Sequence, residues 1–430
     1  MARPTTTPTP SLGDALSVPL GDASAIHRER FHDLFPGPGD CRTFFSPGRV
    51  NLFGGHLDYN GGPVLPTAID RGTFFAVRPR GDGRVRLAST FTDDAFDGHA
   101  GRLPASRTGN WFDYPLGVVR ALADSDPARA DRLAGGFDVL FGGNLPVGAG
   151  LSSSASICVG TAFSLDAAFD LGLRPEERVA AALGAERGFV GVQCGIMDPY
   201  AVGFARPRHV LWLDCKDESY EHLPLDFDRV AIGVVDSGVQ RALARGEFNR
   251  RVDECAEAFR ALRPHAPGAE VLRDVPRAVL DERAADLDPV VARRARHVIE
   301  EVERTFAARE ALLGGDLERL GRSMVDTHAS LRDLFECSSP ELDDLVAAAV
   351  DAGGALGARL TGAGFGGCVV MLVRAGEEER VTEAVSRRFE EQYGRRPPVA
   401  FFQGDSGPRE LQASGGAPPG APSRFPSGDA

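Results

Sequence analysis

Apolar and polar positions follow two periods along the chain. In the first half, Phe74–Arg80 and Arg84–Ser89 run apolar or alternate with the two-residue period of strands. Phe137–Phe141 is a further short apolar run that stops at Gly142-Gly143. The spacing then predicts a long apolar helix over Ser152–Leu171, an amphipathic helix over Pro175–Phe189 and a buried strand at Val230–Val235. Beyond that strand the period becomes helical, about 3.6 residues. Charged amphipathic helices are expected over residues 247–263, 289–314, 316–335 and 340–353. A strand near Ala358–Leu360, a glycine loop, a strand over Cys368–Val373, a helix over 376–393 and a strand at Val399–Phe402 complete the pattern. There is no internal repeat. The mixture predicts an α+β chain of two domains, 21–215 and 216–405, divided where a strand-rich half gives way to a helix-rich one. Residues 1–20, rich in Pro and Thr, and 406–430, rich in Gly, Pro and Ser, are expected to be flexible tails.

Composition narrows the function classes. A chain of 430 residues with 43% hydrophobic content can bury a sizeable core. The formal net charge is −13, with 48 Lys and Arg against 61 Asp and Glu. That balance argues against non-specific nucleic-acid binding, which needs basic surface. It leaves room for a nucleotide held by a local electropositive site. The seven cysteines are odd in number, widely spaced and free of any CxxC pair. Common zinc spacings and a disulfide framework are therefore not expected. The N-terminal MARPTTTPTPSLGDALS lacks an apolar core, and no stretch is long enough to cross a bilayer. The expectation is a reducing, cytoplasmic setting with no membrane partner. The oligomeric state stays open, a monomer being sufficient.

Four segments carry candidate chemistry. In Leu145-Pro-Val-Gly-Ala-Gly-Leu-Ser-Ser-Ser-Ala155, Gly148 and Gly150 permit close backbone approach, and three serines open the predicted helix. A helix N-terminus offers free N–H groups and partial positive charge, which suits phosphates. No Gly-Lys-Ser/Thr follows, so this is not the Walker pattern. Taken alone it is equally a strand-to-helix turn. In Pro47–Gly62, Arg49, His56, Asp58 and Asn60 crowd into a Gly-rich stretch. Asp58 can accept from a diol and Arg49 can offset phosphate charge, although a strand and an Asn-Gly turn would look the same. Asp198 ends Cys194-Gly-Ile-Met-Asp198 as a cap residue or as a partner for an attacking hydroxyl. Leu360–Cys368 carries four glycines within six residues, as a tight hairpin or as backbone packed against a ligand.

Together and in this order, these segments resemble the GHMP kinases, and within them the galactokinases. Trp111–Gly117 and Ser330–Asp343 add to the resemblance, which spans about residues 25–405. It implies a two-domain fold, with an N-terminal S5-domain-2-like part and a C-terminal ferredoxin-like part. It also implies phosphorylation of a sugar, at the anomeric C1 hydroxyl, by ATP with Mg2+. On that analogy Asp198 and Arg49 are catalytic, and Ser154 and Glu186 are magnesium positions, with a solvated helix-face charge the alternative for Glu186. Pro146, Gly148, Ala149, Gly150, Leu151, Ser152, Ser153 and Ser154 would line the triphosphate. Trp111 would lie near the adenine or else in the core. His56, Asp58, Gly55, Gly195 and Phe248 would form the acceptor site. Two departures bear on the acceptor. Galactokinases have Gly-Glu-His where this chain has Gly54-Gly55-His56, and a substrate-contacting Tyr where it has Phe248. L-arabinokinases also resemble this chain in placing Gly-Gly there. The expectation is an acceptor without a C6 hydroxyl or with a different group at that position, such as a pentose, deoxysugar or cyclitol. A non-catalytic sugar and ATP sensor is disfavoured, because Ser154-Ala155, Asp198 and Arg49 are all present. A mevalonate or homoserine kinase is disfavoured by the galactokinase-like stretches.

Overall fold

The computed structural model describes residues 20–145, 150–239 and 244–411. In chain order its strands are β1 (Arg42–Asn51), β2 (Pro63–Val64), β3 (Pro66–Pro79), β4 (Arg84–Ser89), β5 (Phe96–His99), β6 (Phe137–Gly143), β7 (His209–Asp214), β8 (Tyr220–Pro224), β9 (Val230–Asp236), β10 (Ala355–Thr361), β11 (Cys368–Arg374), β12 (Val399–Phe402) and β13 (Arg409–Leu411). The helices are α1 (Leu20–Leu34), α2 (Asp113–Ser125), α3 (Pro127–Leu133), α4 (Ser153–Phe169), α5 (Pro175–Leu183), α6 (Met197–Gly203), α7 (Ala244–Leu262), α8 (Arg277–Arg283), α9 (Pro289–Leu313), α10 (Leu317–Asp333), α11 (Pro340–Asp351) and α12 (Glu378–Tyr393).

The strands form three sheets among the described residues. The first has the order β13-β1-β3-β6-β4-β5, the second β10-β11-β9-β12, and the third β2-β7-β8. In the first sheet only β4 and β6 run parallel. The apolar helix α4 lies across β1 and β3, flanked by α2, α5 and α6, which is why it is apolar on nearly every face. In the C-terminal half, α10 packs on β10 and against α9, while α7 packs on α9.

One core belongs to the N-terminal half, around Phe75, Leu116, Val139 and Ala162. A larger one crosses the halves, joining Leu57, Val64 and Ile196 to Leu331, Phe335 and Val369. Leu57 sits between His56 and Asp58, so this shared core anchors the segment that carries both.

The expected strands and helices from Phe74 onward are present, with three corrections. The amphipathic helix expected over Pro175–Phe189 is an α-helix only to Leu183 and continues as wider π-helical turns over Gly184–Val190. The boundary at residue 215 falls inside a hairpin, because β7 and β8 pair across it. The tail expected from residue 406 still contains β13, whose Arg409–Leu411 pair with Phe45–Thr43 of β1. Local sequence cannot reveal a partner this remote.

Candidate active site

At Pro47-Gly48 the register of β1 against β3 shifts, Pro47 facing Gly72 and Gly48 facing Ile69, so that Asp70 and Arg71 bulge out of β3. Such a bulge bends a strand and increases the local twist of the pair. Arg49 comes next on β1. Its Nε and Nη2 donate to the two oxygens of Asp198 at 2.7 and 2.6 Å, and its Nη1 donates to the Gly150 carbonyl at 2.6 Å. Its own backbone N–H donates to the Leu151 carbonyl at 3.1 Å. Asp198 is the second residue of the short helix α6. Its Oδ2 also accepts from the Ser152 hydroxyl. Ser152 holds a left-handed φ of 58°, a conformation costly for a residue with a Cβ. Three segments far apart in sequence therefore converge on one carboxylate. The fork of the guanidinium matches it with two charge-assisted bonds.

Glu186 lies on the π-helical turns and is only 3% exposed. Burial pushes its carboxyl up to about 7, opposed by the Ser154 hydroxyl and reinforced by the charge of Asp198. The Cys194 thiol donates to its Oε2 at 3.9 Å. The solvated alternative for this residue is excluded by its burial.

The wall opposite is built by residues 54–60. His56 takes a left-handed φ of 61°. Its Nε2 lies 3.1 Å from the Ala363 carbonyl, which can only accept, so Nε2 carries the proton. Nδ1 then accepts from the Tyr59 hydroxyl at 3.0 Å. Burial pushes this imidazole down to about 3, so it is neutral. Both ring nitrogens are thus engaged within the protein, and the face of the ring lies 5.7 Å from Phe248 and 4.5 Å from Phe335. Asp58 opens a 3-10 turn, with Oδ1 accepting from the Tyr59 N–H at 2.9 Å. Desolvation, and then the nearby Asp198, raise its carboxyl to about 6. Gly195 is required beside it, since a Cβ there would stand 1.7 Å from Asp58 Oδ2.

These groups surround a cavity of about 550 Å3, with Arg49, Asp58, Ser154, Asp198 and Phe248 on its walls and Gly362-Ala363 entering from the C-terminal half. Gly150, Leu151, Ser152 and Ser153 line it too, although the Leu151 side chain is only 1% exposed and packs in the core. Pro146, Gly148 and Ala149 lie outside the described residues. Trp111 is not brought to this cavity. Its ring meets Phe141 at 5.2 Å and its Nε1 donates to the Asp94 carbonyl at 2.9 Å. Ala363, which fixes His56 together with Tyr59, lies in the glycine-rich segment that the sequence marked. Tyr59 was legible only as part of an Asn-Gly turn.

Ser154 and the Glu186 carboxylate supply oxygen donors of the kind Mg2+ prefers. No arginine or lysine within ion-pairing distance of Glu186 occurs among the described residues. A buried carboxylate without a cationic partner fits a divalent cation.

Comparison with known proteins places the chain in a family. Residues 28–79 match the galactokinase galactose-binding signature, 113–206 the GHMP kinases N terminal domain, and 308–391 the GHMP kinases C terminal model. Galactokinase of Roseiflexus sp. is 40% identical over 382 residues, covering 88% of this chain and 95% of that protein. Galactokinase of Bacillus subtilis is 36% identical over 390 residues, covering 89% and 97%. The crystal structure of Lactococcus lactis galactokinase complexed with galactose superposes with a TM-score of 0.84 at 32% identity, covering 91% of this chain and 100% of that one. Methanococcus jannaschii mevalonate kinase, at 18% identity and a TM-score of 0.60, shares the fold. With Arg49, Asp198 and the serine-rich helix start gathered at one cavity and three family models matched in order, the chain belongs to the galactokinase family of GHMP kinases and is an ATP-dependent sugar kinase.

Proposed function

We propose that the enzyme phosphorylates galactose at its anomeric hydroxyl, working in the cytoplasm. The observation that carries this is the Arg49–Asp198 pair at the junction of the serine loop and the acceptor wall. The expected pentose or cyclitol is not favoured, because relatives 36–42% identical over most of the chain are galactokinases. The geometry at Gly55 supports the same view. A Cβ there would project onto Arg359 Nη2 and Leu331, at 3.2–3.4 Å, inside the protein. The missing side chain is thus subtracted from behind the wall. Phe248 faces the cavity, but its ring is packed against His56 and Tyr59 at 5.7 and 5.6 Å.

In this site Asp198 accepts or orients the proton of the attacking hydroxyl. Arg49 holds both oxygens of Asp198 and places a fixed positive charge where charge develops in the transfer. Asp58, the neutral His56 and the backbone of Gly195 shape the acceptor wall. Ser154 and Glu186 would hold Mg2+, which neutralises charge on the transferring phosphates when bound.

The test of the acceptor is a panel of galactose, L-arabinose and 6-deoxygalactose with ATP, with product identification. Galactose is expected to give the highest kcat/KM by about tenfold or more, as a site that pairs a substrate hydroxyl discriminates against its loss. Arabinose or 6-deoxygalactose at the top would refute it.

The metal assignment carries its own pH signature. A carboxyl held at about 7 must lose its proton to ligate a cation. Mg2+ affinity of the nucleotide complex is expected to rise by roughly tenfold per pH unit below about 7 and to level off above it. The stability linkage has the opposite sense. Because the folded-state value lies above the usual carboxylate range, Glu186 favours the apo fold at low pH. That contribution is lost as pH rises through about 7. Metal titration by calorimetry at several pH values reads the first effect. Glu186→Gln should flatten it, and a pH-independent affinity in the unaltered protein would contradict the assignment.

A further inference from the structure

We propose that Glu301 and Arg359 are positioning residues for the sugar, acting through the backbone of residues 52–55 and never touching substrate. The inference rests on the reading of the 55–58 segment as the acceptor wall. Glu301 on α9 and Arg359 on β10 both have fully buried side chains, far in sequence from the segment they hold. Glu301 Oε1 accepts from the Gly54 N–H at 3.1 Å. Arg359 Nη1 donates to the Leu52 carbonyl at 3.1 Å and lies 4.0 Å from Glu301 Oε1. Beside them, neutral His297 donates from Nε2 to the Gly55 carbonyl at 3.1 Å, with Nδ1 accepting from the Ser330 hydroxyl at 2.8 Å. The backbones of Leu52, Gly54 and Gly55 are each gripped by a buried side chain of the C-terminal half. Immediately afterwards the chain enters the left-handed turn at His56 and runs on to Asp58.

The carboxylate is itself pinned. Thr327 Oγ1 donates to Glu301 Oε2 at 3.0 Å, and Arg304 Nε donates to the same oxygen at 2.8 Å. Arg359 Nε donates to the Leu360 carbonyl at 2.8 Å, while Nη2 has no hydrogen-bond partner within the protein. That nitrogen is the one a Cβ on Gly55 would approach. A buried ion pair of this kind contributes little net stability but fixes geometry tightly. Removing one member leaves a charge uncompensated. Here the geometry it fixes is the height and tilt of the acceptor wall relative to Asp198. Among the described residues, no hydrogen bond or ion pair joins it to the phosphate loop.

The experiment uses Glu301→Gln, which keeps the shape and an acceptor oxygen but removes the charge. The acceptor is whichever panel sugar gives the highest kcat/KM, so a failure of galactose as substrate leaves this test intact. The expected result is a rise of about tenfold in KM for the sugar, with KM for ATP changed less than about twofold. Equal rises in both KM values, or a lowered Tm with both unchanged, would overturn the proposal and leave a purely structural pair. Should Glu301→Gln fail to fold, Thr327→Val removes only the hydroxyl that pins the carboxylate. The same split between sugar and ATP is then expected in weaker form, and its absence has the same consequence.

Discussion

Asp198→Asn is expected to lower kcat by about a thousandfold, close to 4 kcal/mol of transition-state stabilisation, while nucleotide affinity stays within a few-fold. The substitution preserves volume but alters two things at once. The proton acceptor is lost, and an amide N–H₂ is set against donors that now face oxygen, namely Arg49 Nη2 and the Ser152 hydroxyl. One of these contacts must open. Of the serine-loop residues expected to hold the nucleotide, Ser152 is tied to the carboxylate through its hydroxyl, while no such bond to Asp198 is made by Ser153 or Ser154, so binding of ADP by calorimetry should largely survive. A variant retaining more than about a tenth of the turnover would remove Asp198 from the chemistry.

Arg49→Lys is expected to cost roughly a hundredfold in kcat although charge is conserved. The arginine makes three directed bonds, two to Asp198 and one to the Gly150 carbonyl. An ammonium on a flexible stem cannot span all three. The side chain is 6% exposed, so water cannot readily replace what is lost. The loss should appear in kcat more than in the sugar KM, because Arg49 contacts the residue that orients the hydroxyl and not the acceptor wall. Steady-state kinetics with both substrates varied decides it, and an unchanged kcat would show that charge alone suffices.

Much of the fold was legible because period and element coincide. Arg84–Ser89 and Val399–Phe402 are strands in which the alternation or apolar run matches the pleat, and their bounds agree with the structure. β1 was legible only as the strand before an Asn-Gly turn, because Pro47-Gly48, opposite the bulge of β3, breaks its alternation. α6 has only seven residues, too few for a periodic signal. In the site, Arg49, Asp198 and Ser152–Ser154 were all marked by glycines or capping residues, and they do meet. What stayed invisible was the support behind them. Glu301 looks like one more charge in the Glu300–Arg304 run, yet it is fully buried while Glu303 stands at the surface. The signal was present in weak form, since His297, Glu301 and Thr305 recur at four-residue intervals on the buried face of α9. Charge density obscured it.

β13 places a constraint on synthesis. The first half of the strand that carries Arg49 has its outer edge closed at Thr43–Phe45 by Arg409–Leu411, and Arg42 at its start forms a forked pair with Glu410 at 2.7 Å. At ribosomal rates, residue 409 follows residue 43 by something like 20–70 s. Throughout that interval β1 presents an open edge, the kind of template on which nascent chains cross-pair. A transcript or protease cut that removes Arg409–Leu411 would leave the active-site residues in place but their supporting strand exposed, so aggregation would betray the lesion before inactivity did.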